Sequence, residues 1–258
     1  LGESKGWPAK GWTEGVFDVS LQPKPNAWFL RSIFKPEEPI VHIAIIDSDD
    51  NTVWNDVKVG TKSLSDHWNR PSGSRLDMYT FTNCDEVELF LNGKSLGRKA
   101  NETGDPKSRN RISWTDIPYE AGSLEAVAWR KGEKKPAARH RIETAGSVAR
   151  LRAEGDNPSW QADGIDLQYV AIEAVDSKGR VVPDASTLLT FSVEGPAEIV
   201  GVTNGDMLSD DMFTGDKRHL YAGKASVILR STTTPGAVVL TATPETGKPV
   251  KLKLNTTR

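Results

Sequence analysis

The chain has 258 residues, 26% of them charged, and a formal net charge of −2. That balance excludes the basic excess of a nucleic-acid binder, and the longest apolar run, 43–46, falls far short of the roughly 20 residues that span a bilayer. A single cysteine, Cys84, excludes an internal disulfide and reads as a small, partly buried side chain.

Taken in chain order, residues 1–37 stand apart: they are rich in Gly, Trp and Pro, and positions 1–5 are polar, unlike a secretory leader. The one plausible helix spans 26–34 (NAWFLRSIF). Trp28, Phe29, Ile33 and Phe34 would form a ragged apolar face, and Pro36 would end it. So much aromatic surface on one helix must pack on something, either a sandwich or a partner outside the chain.

From residue 38 the pattern turns to strands. Residues 39–46 (PIVHIAII) and 86–92 (EVELFLN) alternate as half-buried strands do, with Val87, Leu89 and Leu91 on one face and Glu86, Glu88 and Phe90 on the other. Asn92-Gly93 follows at once and predicts a type I′ hairpin, because both central residues need positive φ. The returning strand is 94–99. Further strands are read at 76–82, 112–115, 124–129 and 138–143. Composition becomes small and polar around Thr144-Ala-Gly-Ser147, which is taken as a domain boundary. A second series follows at 148–153, 167–175, 188–193, 198–202, 224–230, 237–243 and 250–254. Asp176-Ser-Lys-Gly179, Gly195-Pro196, Asn204-Gly205 and Pro235-Gly236 separate most of these strands. The predicted fold class is all-β: two immunoglobulin-like β-sandwich domains in tandem, with a short helical N-terminal stub. The predicted domains are 1–37, 38–146 and 147–258.

Chemistry-bearing motifs are scarce. Asp47-Ser-Asp-Asp-Asn51 offers oxygen ligands, but Thr52 stands where a calcium loop needs glycine and Lys58 where it needs glutamate, so a solvated turn is the better reading. His42, His67, His140 and His219 are scattered without metal-ligand spacing, and no metal is expected. His140, between Arg139 and Arg141, reads as a surface strand residue. Gly93-Lys-Ser-Leu-Gly97 has the GxSxG spacing but falls on a predicted hairpin, not on the strand-to-helix turn of a nucleophile elbow, and nothing in the spacing pairs any two carboxylates across a sugar.

The segment Asn83-Cys-Asp-Glu-Val-Glu-Leu-Phe-Leu-Asn-Gly-Lys-Ser-Leu-Gly97 resembles one in bacterial glycoside hydrolase family 2 β-galactosidases, where it belongs to an immunoglobulin-like domain after the catalytic barrel. Asp66-His-Trp-Asn69 is similar to an element just upstream in that domain, with Arg70 replacing a second tryptophan. Gln161-Ala-Asp-Gly-Ile-Asp-Leu167, Val175-Asp-Ser-Lys-Gly-Arg-Val-Val-Pro-Asp184 and Val202-Thr-Asn-Gly-Asp206 resemble a further C-terminal domain of the same enzymes, with an invasin-like pattern. Leu1-Gly2-Glu3 and the stretch 15–34 are similar to the end of the barrel, its last loop and helix. On this resemblance Trp28 and Phe29 would pack against a barrel missing from this chain.

The resemblance implies a C-terminal accessory region of a retaining β-galactosidase. Its partners would be the N-terminal catalytic barrel of the same polypeptide and that enzyme's carbohydrate substrate. Both catalytic glutamates would lie on earlier barrel strands, so no catalytic residue and no cofactor is assigned here, and the chain alone is expected to be inactive. Substrate-adjacent candidates, in the full-length protein only, are Trp68 for stacking on a pyranose, then His67 and Glu3. The resemblance also implies a periplasmic or secreted bacterial protein. The alternatives are a stand-alone carbohydrate-binding module and a cell-surface adhesion or spacer domain.

Overall fold

The structure, a computed structural model, describes residues 15–49, 53–58 and 62–258. The described residues contain one helix and divide into two units, one including Pro23–Thr144 and the other Asp18–Gln22 with Ala145–Arg258.

In the unit ending at Thr144, helix α1 (Pro25–Phe34) is followed by strands β1 (Val41–Asp49), β2 (Val53–Trp54), β3 (Val57–Lys58), β4 (Lys62–Ser65) and β5 (Arg75–Thr82). Strands β6 (Glu86–Leu91), β7 (Lys94–Ala100), β8 (Arg111–Pro118), β9 (Ser123–Trp129) and β10 (Ala138–Glu143) complete it. Two antiparallel sheets form, ordered β4-β1-β5-β8 and β10-β9-β6-β7, while β2 and β3 pair as a small hairpin. The predicted alternation in β6 is realised: Val87, Leu89 and Leu91 are buried and Glu86, Glu88 and Phe90 lie partly open on the other face. They meet Val41, Ile43, Ile45 and Met78 of the facing sheet in one core. Asn92 and Gly93 both take positive φ (50° and 81°) and join β6 to β7, as the hairpin reading requires.

Pro25 begins α1 at a position where a missing N–H costs nothing, and the chain leaves the helix just before Pro36. Its packed face is Pro25, Trp28, Phe29 and Ser32, the i, i+3, i+4, i+7 set, rather than the predicted one. Trp28 stacks on His42 at 4.9 Å, Phe29 leans on Phe81 at 5.4 Å, and Asn110 Nδ2 donates to the Ser32 carbonyl at 3.0 Å. Trp28 and Phe29 thus pack on the sandwich itself while each stays partly exposed, so the helix has a partner within the chain. Phe34, 74% exposed, and the half-open Ile33 lie off that face.

The other unit carries β11 (Arg150–Gly155), β12 (Leu167–Val175), β13 (Leu188–Glu194), β14 (Ala197–Thr203), β15 (Lys217–His219), β16 (Lys224–Ser231), β17 (Gly236–Pro244) and β18 (Val250–Thr256). Its sheets are ordered β11-β12-β16-β14 and β15-β13-β17-β18, every pairing antiparallel. Val170, Ile172, Val227, Leu229, Phe191, Leu240 and Trp160 fill the space between them. Asp176 ties the entering chain to the β12 turn. It accepts from the backbone N–H of Gly146, Lys178 and Arg180 at 2.9–3.0 Å and from the Arg180 guanidinium. The Val-Asp-x-x-Gly motif is therefore a structural latch.

Candidate functional site

The loop between β4 and β5 holds two of the three substrate-adjacent candidates. Arg70 organises it: Nη2 donates to Asp47 Oδ1 and Ser65 Oγ, both at 2.7 Å, and Nη1 donates to His67 Nδ1 and the Asn69 carbonyl, also at 2.7 Å. His67 is half-buried within this cluster. Asp47, expected as part of a solvated turn, is partly exposed and spent on Arg70 and on Ser65.

Trp68 points the other way. It is 0% exposed, its indole N–H donates to the Glu120 carbonyl at 3.0 Å, and its ring meets Tyr119 edge-on at 5.2 Å. No ring face is left for a pyranose, so the stacking expectation is corrected to a core role. A loop residue has no alternation from which its direction can be read; the partners that draw it inward lie more than fifty positions away. Glu3 lies outside the described residues.

A second group of polar side chains escaped the sequence reading. His42 on β1 stacks between Trp28 and His140, with ring centroids 4.1 Å apart for the two histidines. His140 accepts at Nδ1 from the Ile43 backbone N–H at 3.0 Å, which leaves its proton on Nε2. It is thus a packed group rather than the surface residue expected. His42 Nε2 is buried without a hydrogen-bond partner, and Asp66 Oδ2 stands 3.9 Å away. Burial, reinforced by the neighbouring His140, drives the His42 pKa down to about 2; burial also lowers that of His140. Both rings are neutral at ordinary pH. Among the described residues, no group of three or more His, Cys, Asp or Glu side chains is placed to hold a metal ion.

The acidic side chains serve structure wherever their titration is displaced. Arg75 lowers Asp116, Arg31 lowers Glu38, and Arg180 with three backbone N–H groups lowers Asp176. Asp163 is lowered by the N–H groups of Ile165 and Asp166. At Asp211 burial pulls upward, but the contact with His219 prevails. A general acid for glycoside cleavage needs the opposite displacement, a carboxyl held protonated near neutral pH. These five are acceptors fixed in their ionised form.

Comparison with known proteins agrees with this picture. Residues 151–253 match the glycoside hydrolase family 2 C-terminal domain 5, and residues 73–135 match a domain of unknown function (DUF4982). The chain is 35% identical over 251 residues to the β-galactosidase BoGH2A of Bacteroides ovatus, an alignment covering 97% of this chain and 26% of that protein. It is 30% identical to a putative β-glucuronidase of Formosa agariphila, over 92% of this chain and 21% of that one. The crystal structure of a glycosyl hydrolase family 2 member from Bacteroides cellulosilyticus superposes with a TM-score of 0.82 at 30% identity, over 95% of this chain and 32% of that one. The chain therefore spans about a third or less of the length of these proteins. Two β-sandwich units, one matching a glycoside hydrolase family 2 C-terminal domain and both similar to a stretch of longer family 2 proteins, make this chain a C-terminal region of a glycoside hydrolase family 2 protein.

Proposed function

We propose that the chain braces the catalytic part of a retaining β-galactosidase and helps to shape its substrate entrance, with no catalytic glutamate of its own. One observation carries the reading: the chain matches a C-terminal domain of glycoside hydrolase family 2 and aligns with only 26% of the β-galactosidase it resembles. In this arrangement Trp68 is the anchor beneath the β4–β5 loop, and the His67–Arg70–Asp47 cluster is the polar surface nearest the substrate. Galactoside is favoured over glucuronide because the β-galactosidase is the more similar of the two relatives.

The test is turnover of p-nitrophenyl β-galactoside and β-glucuronide by the 258-residue chain and by the longer polypeptide that contains it. The chain alone should be inert. The longer protein should hydrolyse the galactoside, and His67→Ala in it should raise KM with little change in kcat. Hydrolysis by the chain alone, abolished by one Glu→Gln change within it, would overturn the reading.

A further inference from the structure

The unit ending at Arg258 carries a shallow depression of about 770 Å³ that the bracing role does not use. It lies where β11 runs out and β12 begins, and its walls are the turn carrying Gln161-Ala-Asp-Gly-Ile-Asp-Leu167. Leu167 and Tyr169 supply apolar surface to it and point outward from β12. Ile165, 77% exposed, stands on the rim.

The polar groups around this apolar surface fall into two sets. One set builds the turn. Asp166 accepts from the backbone N–H of Gln161 and Leu167 at 2.8 and 2.9 Å, Asp163 Oδ1 accepts from those of Ile165 and Asp166, and buried Trp160 donates its indole N–H to the Asp166 carbonyl. The other set is unspent. Among the described residues, the side-chain amide of Gln161, the hydroxyl of Ser159 and the phenol of Tyr169 have no hydrogen-bond partner, although all three line the depression. A hydrogen-bonded turn with free donors and acceptors, around a half-buried aromatic, binds with little ordering cost.

Charge narrows the ligand. Asp156, Asp163 and Asp166 line the depression, and among the described residues no basic side chain does. The arginines on the same sheet face are committed elsewhere, Arg230 to Glu198 and Arg152 to Glu173. A uronate or a sulfated sugar would meet a field of its own sign.

We infer that this depression is a binding site for an uncharged saccharide, with Tyr169 stacked on a pyranose ring and Gln161, Ser159 and the open oxygen of Asp163 bonding its hydroxyls. The site would hold a chain of the glycan that the catalytic part processes. It rests on the proposed glycosidase parentage for its ligand class, but not on turnover.

Titration of the 258-residue chain with β-1,4-galactotetraose, followed by amide NMR shifts, tests it. Shifts should centre on residues 156–169 and saturate in the millimolar range, about −4 kcal/mol of binding. Tyr169→Ala should weaken binding about tenfold or more, and Gln161→Ala several-fold; an unfolding midpoint well above the titration temperature for each variant separates lost binding from folding failure. Tetragalacturonate should leave the same amides unmoved. Silence toward galactotetraose, shifts centred elsewhere, equal response to tetragalacturonate, or preference for a tetralysine peptide would each overturn the inference. None of these outcomes bears on hydrolysis, so the site can fail while the bracing role stands, and the reverse.

Discussion

Trp68 shows how one buried side chain can decide what a loop is able to do. Its indole is enclosed by the first sandwich's core and bonded to the Glu120 carbonyl. Trp68→Ala should cost about 3–5 kcal/mol of stability, as truncation of large core aromatics does. Trp68→Phe keeps most of the packing but leaves the Glu120 carbonyl unpaired, at about 1–3 kcal/mol. Denaturant melts of the two variants give the ordering; near-wild-type stability of Trp68→Ala would return the ring to the surface. The histidine pair makes a second prediction at this scale. His42 and His140 are neutral when folded and titrate near 6.5 when unfolded, so below pH 6.5 the unfolded chain binds more protons. Stability is therefore full above pH 6.5 and falls as pH drops below it, by up to about 1.4 kcal/mol per pH unit for each proton. His42→Phe preserves the stacked ring and removes one proton from the balance. Its stability should fall less steeply over that window, and an unchanged slope would contradict the buried neutral assignment.

Elements were legible wherever one strand or turn carried its own pattern. Val87, Leu89 and Leu91 alternate, Asn92-Gly93 supplies the turn, and the structure realises both. Failures came where distant residues decide. The packed face of α1 was misread because Ser32, a polar residue, is drawn in by Asn110, 78 positions away. His140 was read as exposed because its partners, Ile43 and His42, sit on a strand nearly a hundred residues upstream. Of the candidate site, Asp66-His-Trp-Asn69 stands out only through its resemblance, and nothing in the sequence shows that Arg70 and His67 face one way and Trp68 the other. The β13–β14 turn offers an element-scale prediction. Gly195 has φ +101°, and a Cβ there would overlap the Ala237 carbonyl oxygen on β17, a central strand paired with both β13 and β18. Gly195→Ala should destabilise by more than about 1 kcal/mol, the order of the backbone penalty alone. Gly104→Ala, where nothing lies within 4 Å, should be nearly neutral. Equal melting midpoints for the two variants would refute this account of the turn.

At the scale of the whole molecule, two self-contained β-sandwich cores account for the buried hydrophobic clusters, and among the described residues no helix is long and apolar enough to cross a membrane. Several described acids serve the fold: Asp176 latches a turn, Asp166 and Asp163 build another, and Asp47 holds Arg70. A retaining glycosidase passes through a covalent sugar–carboxylate ester. Treating the longer polypeptide with a 2-deoxy-2-fluoro-galactosyl fluoride, then mapping the labelled peptide by mass spectrometry, asks directly whether that ester forms on any acid described above. The added mass is predicted on a glutamate upstream of these 258 residues, with none on this chain; a labelled Asp or Glu within them would contradict the account.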